Sequence, residues 1–136
     1  MTDNPLKILI INSEIKELAT VKQFVNELFI ENNIAQKYFN KVFLCLSEAV
    51  VNSIEHGNKK DSCKKVSIYA NYATNIVTLK ISDEGKGFNL NKIVDPTNQE
   101  NIRKESGRGI HIIKSLSEQV KYNHQENSIQ FKIDCK

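Results

Sequence analysis

From Leu6 to Ile11 the chain is apolar at every position but Lys7, a run of strand length that stops at Asn12 and Ser13. Asn12 or Ser13 then caps a helical spacing, with Leu18, Val21, Phe24, Val25 and Leu28 on one face, which continues to about Glu31 before Asn32 and Asn33 break it. A second helix begins near Ala35 and reaches Gly57, which is placed to close it in a left-handed conformation. Val66 to Ala73 and Ile76 to Asp83 read as a hairpin about Thr74 and Asn75. In its second strand Val77, Leu79 and Ile81 alternate inward against Thr78, Lys80 and Ser82, so Asp83 falls on the inner face. Glu84 to Glu105 has no periodicity and reads as a long loop, a feature that in a compact domain usually serves function. The pattern resumes with a third helix from Ser106 to about Ser117. Two closing strands follow, near Gln119 to Asn123 and Ser128 to Ile133, with a turn around Gln125 to Asn127.

The order β, α, α, β, β, loop, α, β, β lacks the strict alternation of a doubly wound sheet. It predicts an α+β fold: a two-layer α/β sandwich with a mixed, mostly antiparallel sheet and its helices on one face. At 136 residues, 40% hydrophobic and 26% charged, the chain suits one domain spanning 1–136. It contains no internal repeat, low-complexity tract or linker. The formal charge of +3 comes from lysines spread along the sequence, which argues against a nucleic-acid or membrane-surface partner. Cys45, Cys63 and Cys135 form no C-x-x-C pair, so neither a disulfide framework nor a zinc site is expected, and a reducing compartment is. The run LKILII is too short for a signal segment or a membrane span, and the expected location is cytoplasmic.

The second helix carries the most informative pattern. Glu48, Asn52 and His56 recur at i, i+4 spacing and cover only about 80° of its surface, with Glu55 close to the same arc. Val42, Phe43, Leu46, Ala49, Val50 and Ile54 cover the opposite side, and Leu44, Val51 and Cys45 border the stripe. A helix apolar nearly all round is normally buried, and a carboxylate within it needs partners because its desolvation is costly. The stripe therefore reads as the wall of a cleft. Downstream, DEGKGF at 83–88 and SGRGI at 106–110 supply glycines that allow close approach of backbone to a ligand. Neither glycine segment follows a strand in a βαβ unit and no G-K-[ST] is present, so a dinucleotide fingerprint and a P-loop are both excluded.

The ordered set E-x-x-x-N-x-x-x-H, D-E-G-K-G-F, D-P-T-x-x-E-N and G-R-G-I resembles the motif series of the Bergerat, or histidine-kinase-like, ATP-binding fold over roughly residues 12 to 134. Within that superfamily the chain looks most like the stand-alone anti-sigma factor serine/threonine kinases. The resemblance implies ATP and Mg²⁺ as cofactors, with Asp83 accepting from the exocyclic amine of adenine. Glu48 would be the catalytic general base, taking a proton from a serine hydroxyl or a water. The side-chain oxygen of Asn52 suits Mg²⁺, a hard ion that takes one or two protein oxygens beside phosphates and water. Gly85 and Gly87 would let the backbone approach the nucleotide. Gly107, Arg108, Gly109 and Ile110 would set helix N–H groups, and the Arg108 guanidinium, against phosphates. His56 either contacts a phosphate or is placed by the helix dipole, and stays outside the catalytic set. The loop from Phe88 to Glu105 reads as a lid over the phosphates.

The implied activity is phosphorylation of a small anti-sigma antagonist in a partner-switching pathway, with a sigma factor as alternative partner and a homodimer as the assembly. One position departs from the pattern: Glu105 stands before Ser106 and Gly107, where such kinases often carry a basic residue. Arg103, Lys104 or Arg108 would then have to reach the γ-phosphate. The alternative function is a non-catalytic, nucleotide-gated module that binds a regulatory partner.

Overall fold

The computed structural model of the chain describes residues 6–85 and 105–136, with side chains in the second range from residue 109 onward. Strands β1 (Lys7–Asn12), β2 (Lys65–Ala73), β3 (Ile76–Asp83), β4 (Glu118–Asn123) and β5 (Ser128–Asp134) form one sheet in the order β1-β2-β3-β5-β4. All four pairings are antiparallel. Helices α1 (Leu18–Asn32), α2 (Phe39–Asn52) and α3 (Glu105–Leu116) supply the second layer. The layers meet through Val66, Ile68 and Ala70 of β2, Val77, Leu79 and Ile81 of β3, and Ile129, Phe131 and Ile133 of β5, all buried together with Val21, Val25, Leu46, Val50 and Ile113 of the helices. Each fully buried aliphatic or aromatic side chain here contributes about 1.5–3 kcal/mol.

The alternation in β3 holds along its whole length, every second residue from Val77 to Asp83 being buried. Thr74 and Asn75 both take positive φ, 56° and 64°, as a tight two-residue hairpin turn requires. The interior thiols Cys45 and Cys135 are pushed up to about 11 by burial, while Cys63 is exposed; all three are free.

Two helix boundaries differ from the sequence pattern. The Ser13 hydroxyl caps no helix but donates to the Lys64 carbonyl at 2.9 Å, tying β1 to the entry of β2, and α1 starts only after a 3₁₀ turn at Ile15–Glu17. Nor does Gly57 close the second helix in a left-handed conformation. After Asn52 the helix widens into a π turn, Ser53–Gly57, with the Asn58 N–H donating to the Ser53 carbonyl at 2.7 Å. The extra residue carries the helix end past Gly57. Lys59 and Lys60 take the left-handed conformation instead, with φ of 53° and 61°, and the Lys60 N–H donates back to the Ile54 carbonyl at 2.6 Å. Left-handed lysines are tolerable because both side chains are exposed and that hydrogen bond closes the helix end.

Candidate functional site

Glu48 and Asn52 sit on successive turns of α2, on the side that α3 packs against. Asn52 is 3% exposed and Glu48 is half-buried. Helix α3 reaches them because Gly109 has no side chain: a Cβ there would stand 2.7 Å from Glu48 Oε1 and 3.2 Å from Asn52 Nδ2. Among the described residues Asn52 Nδ2 is buried without a hydrogen-bond partner. An orphaned amide of this kind costs about 1–3 kcal/mol, and it lies against the helix that carries the G-R-G-I segment.

The π turn places a second group of residues beside the end of β3. Single π turns inside α-helices occur disproportionately at functional sites; this one sets Gly57 against Asp83. A Cβ on Gly57 would overlap the Asp83 carboxylate, coming within 2.7 Å of Oδ1, and a Cβ on Gly85 would overlap the Gly57 carbonyl. The two glycines are therefore required for close approach, with no demand for positive φ.

Asp83 is buried at the end of β3, with its backbone N–H donating to the Asn127 carbonyl at 3.1 Å. Burial raises the pKa of its carboxyl, partly offset by a hydrogen bond from the Gly85 N–H at 2.9 Å, another from the Ser53 hydroxyl, and the charge of Lys64. The net direction is upward. An acid so placed binds its proton more tightly than in water, yet keeps acceptor capacity for a ligand that can donate.

Asn58 holds the two motif segments together. Its Nδ2 donates to Ser13 Oγ at 2.7 Å and to the Lys65 carbonyl at 3.0 Å, and its Oδ1 accepts from the Glu84 N–H at 2.9 Å. The carboxamide is satisfied on both sides and 1% exposed. The sequence pattern assigned no role to Asn58, Ser53 or Asn127. The adjacency of Asn58 to Gly57 and of Ser53 to Asn52 was the only local signal, and all three partners lie across the fold. Asn58→Ala is expected to cost about 2–4 kcal/mol of unfolding free energy, since it takes a partner from the Lys65 carbonyl and the Glu84 N–H and leaves the Ser13 hydroxyl with only the hydrogen bond it donates. Urea denaturation measures this directly.

Of the residues singled out from the sequence, Glu48, Asn52 and Gly109 come together in one group and Asp83, Gly85 and Gly57 in a second, joined by the π turn. Ile110 is fully buried in the core, so only its backbone can face a ligand. Gly107 and Arg108 lie in the first turn of α3, where side chains are outside the description, and His56 is half-buried in the π turn. Gly87 and the expected lid, together with the candidate cations Arg103 and Lys104, lie outside the described residues.

Residues 11–133 match the family model of the histidine kinase-like ATPase domain, nearly the whole chain. The chain belongs to this family. It is also similar to a serine-protein kinase RsbW from Oceanobacillus iheyensis, 28% identical over 88 residues that make up 60% of this chain and 56% of the relative. The match thus spans a little over half of that protein. Among solved structures, the RsbU and RsbW domains of a Mycobacterium tuberculosis protein superpose with a TM-score of 0.65 at 17% identity, covering 96% of this chain and 32% of that one. The likeness confirms the fold expected of a histidine-kinase-like ATPase domain.

Proposed function

We propose that the chain is a Mg-ATP-dependent serine/threonine protein kinase acting as an anti-sigma regulatory factor, with a small anti-sigma antagonist as phosphoacceptor and a sigma factor as alternative partner. The observation that carries this reading is the seating of Gly109 against Glu48 and Asn52, with the buried Asn52 Nδ2 finding no hydrogen-bond partner among the described residues. Such a group fits a nucleotide site, because the oxygen and nitrogen of a side-chain amide exchange places by a half-turn and can serve either a cation or a phosphate oxygen. Among the described residues no cluster of three His, Cys, Asp or Glu side chains could hold a metal. An ion beside Asn52 would draw its remaining oxygens from phosphates and water, as Mg²⁺ commonly does.

Bound Mg-ATP would supply the phosphoryl group. Asp83 would accept from the base's amino group at the buried end of the site, and Gly85 and Gly57 would let backbone close around it. Asn52 would hold the ion, and the N-terminal turn of α3, with Gly107, Arg108, Gly109 and Ile110, would turn N–H groups toward the phosphates. Glu48 would take the proton of the acceptor hydroxyl. A homodimer and a cytoplasmic location belong to the same reading; among the described residues no helix is long and apolar enough to cross a membrane. Glu105 favours a second reading, a nucleotide-gated binding module without phosphoryl transfer, because it puts a carboxylate where such kinases often carry a basic residue.

Calorimetry with ATP, with and without Mg²⁺, tests the site. The wild type is expected to bind ATP more tightly with the ion, and Asn52→Ala to bind with an affinity that no longer responds to it. No binding by the wild type under either condition rejects both readings.

A further inference from the structure

We propose that the open face of the sheet, turned away from the helices, is the surface on which two copies of this chain pair, with Ile8 and Ile10 of β1 at the centre of the contact. The proposal gives a surface to the homodimer named in the reading above; its argument is the face itself and uses no part of the nucleotide site.

Helices α1, α2 and α3 cover one side of the sheet, and no described element covers the other. On that side Leu6, just before β1, and Ile8 and Ile10 within it are 55%, 53% and 60% exposed. Single apolar side chains at a surface are ordinary, but three at successive outward positions of one strand form a patch, and such patches mark contacts. Tyr69 of β2 stands opposite Ile8, and Ser67 opposite Ile10. A hollow of about 340 Å³ between Leu6, Tyr69, Asn71, Thr78, Lys80 and Gln130 can receive a side chain from a partner.

Two observations choose the manner of pairing. Strand β1 lies at the edge of the sheet, where free backbone groups could take up another strand. Its inward Lys7, however, is held by Glu27 at 3.4 Å and Glu31 at 3.3 Å of α1, and an inward charge is a device that keeps edges from adding strands. Contact therefore falls to the face. The rest of that face is balanced in charge: Lys80, Lys121 and Lys132 stand among Glu118, Glu126 and Asp134, with Lys80 paired to Glu126 at 2.6 Å. A face of one sign would call for a partner of the other, whereas a balanced one can mate with itself. In a two-fold contact whose axis crosses the strands, each strand lies over its own counterpart. Ile8 and Ile10 then meet Ile8 and Ile10, while the charged rows stay over charged rows. The size suffices as well. Five strands of six to nine residues, about 4.8 Å apart with about 3.3 Å per residue, make a face of roughly 500 Å². Two copies would bury about 1,000 Å², the lower bound for a specific interface.

The test follows mass against concentration by analytical ultracentrifugation for wild type, Ile8→Asp/Ile10→Asp and Tyr69→Asp, with ATP calorimetry and urea denaturation on the same preparations. Wild type is expected at twice the 15.5 kDa mass of the chain. Each variant is expected to raise the dimer Kd at least about 100-fold while the urea midpoint and ATP affinity stay as in wild type. A wild type that is monomeric at the highest concentration measured overturns the proposal, and ATP binding by that monomer leaves the nucleotide site standing. A dimer lost in both variants but blind to ATP keeps this face and rejects the kinase reading. Dimers retained by Ile8→Asp/Ile10→Asp place the contact elsewhere, and dimers lost there but retained by Tyr69→Asp, on the face away from the edge, mean strand addition at β1; both overturn the proposal. Should the double variant unfold, cross-linking decides. In a Cys63→Ser background Ile10→Cys is expected to join two copies on oxidation, and Ile30→Cys, at a position 74% exposed on α1, to stay single. Equal cross-linking of the two, or none by Ile10→Cys, overturns the proposal.

Discussion

Glu48→Gln is expected to lower phosphoryl transfer to an acceptor serine by about 10²–10⁴-fold, the range that general-base groups contribute, while ATP affinity stays within about threefold because the side chain's size and its contacts are kept. The geometry makes this separation sharp. Glu48 is half-buried on the α2 face that meets Gly109, so its carboxylate borders the place where the glycine-bearing helix begins, one turn from Asn52. Glutamine fills the same space there and can still accept one hydrogen bond, but it cannot take up a proton near neutral pH. The measurement is labelled-phosphate transfer from ATP to a candidate antagonist protein, with calorimetry on the same preparations. Transfer by Glu48→Gln at the wild-type rate would remove Glu48 as base. A wild type that transfers nothing yet retains a partner only when nucleotide is bound would favour the gated module.

The residues that act through local periodicity were legible in the sequence. The alternation of Val77, Leu79 and Ile81 placed Asp83 on the inner face, and the structure buries it there. The i, i+4 stripe put Glu48 and Asn52 on one side of α2, and apolar Val42, Leu46, Ala49 and Val50 did go to the core, although Leu44 beside the stripe is 40% exposed. The hairpin turn at Thr74 and Asn75 followed from strand lengths alone. What escaped depends on long-range contact. Gly57 looks like a helix cap because glycine usually is one; its real constraint is the Asp83 carboxylate, 26 residues downstream in sequence. The π turn has no sequence signature of its own, since Ser53 to Gly57 would suit an ordinary α-helix equally well, and with it went the role of Asn58. Ser13 resembled an N-cap until its hydroxyl was found on the Lys64 carbonyl, 51 positions away. Short polar residues next to backbone are ambiguous in this way because each can satisfy a local or a distant group equally well.

Asp83→Asn is expected to weaken ATP by about 100-fold, from the loss of roughly 3 kcal/mol of hydrogen bonding to the base, and at the same time to make the nucleotide-free protein more stable at pH 7. Both effects follow from the same buried carboxylate. The folded protein raises the Asp83 pKa above its ordinary value near 3.8, chiefly by burial. The native state therefore holds the proton more tightly than the unfolded chain, and ionising the group costs stability as pH rises through the folded value. Its contribution is fully present only below the unfolded value and is lost at neutral pH. Asparagine has no such loss. Its oxygen can accept from the Gly85 N–H as the carboxylate does, which leaves its NH₂ on the ligand side of the site. With nucleotide bound, that same NH₂ would face the amino group of the base, donor against donor; turning the amide to receive the base would set the NH₂ against Gly85 instead. No orientation serves both. Urea denaturation at pH 4 and pH 7 should show the stability margin of Asp83→Asn over wild type growing with pH, while calorimetry shows the loss of ATP. A variant that binds ATP as tightly as wild type would remove Asp83 from the site. A margin that stays constant with pH would show that the folded protein does not hold the Asp83 proton more tightly than the unfolded chain. Loss of binding together with a gain in stability would mark Asp83 as a residue kept for its ligand at the expense of the fold.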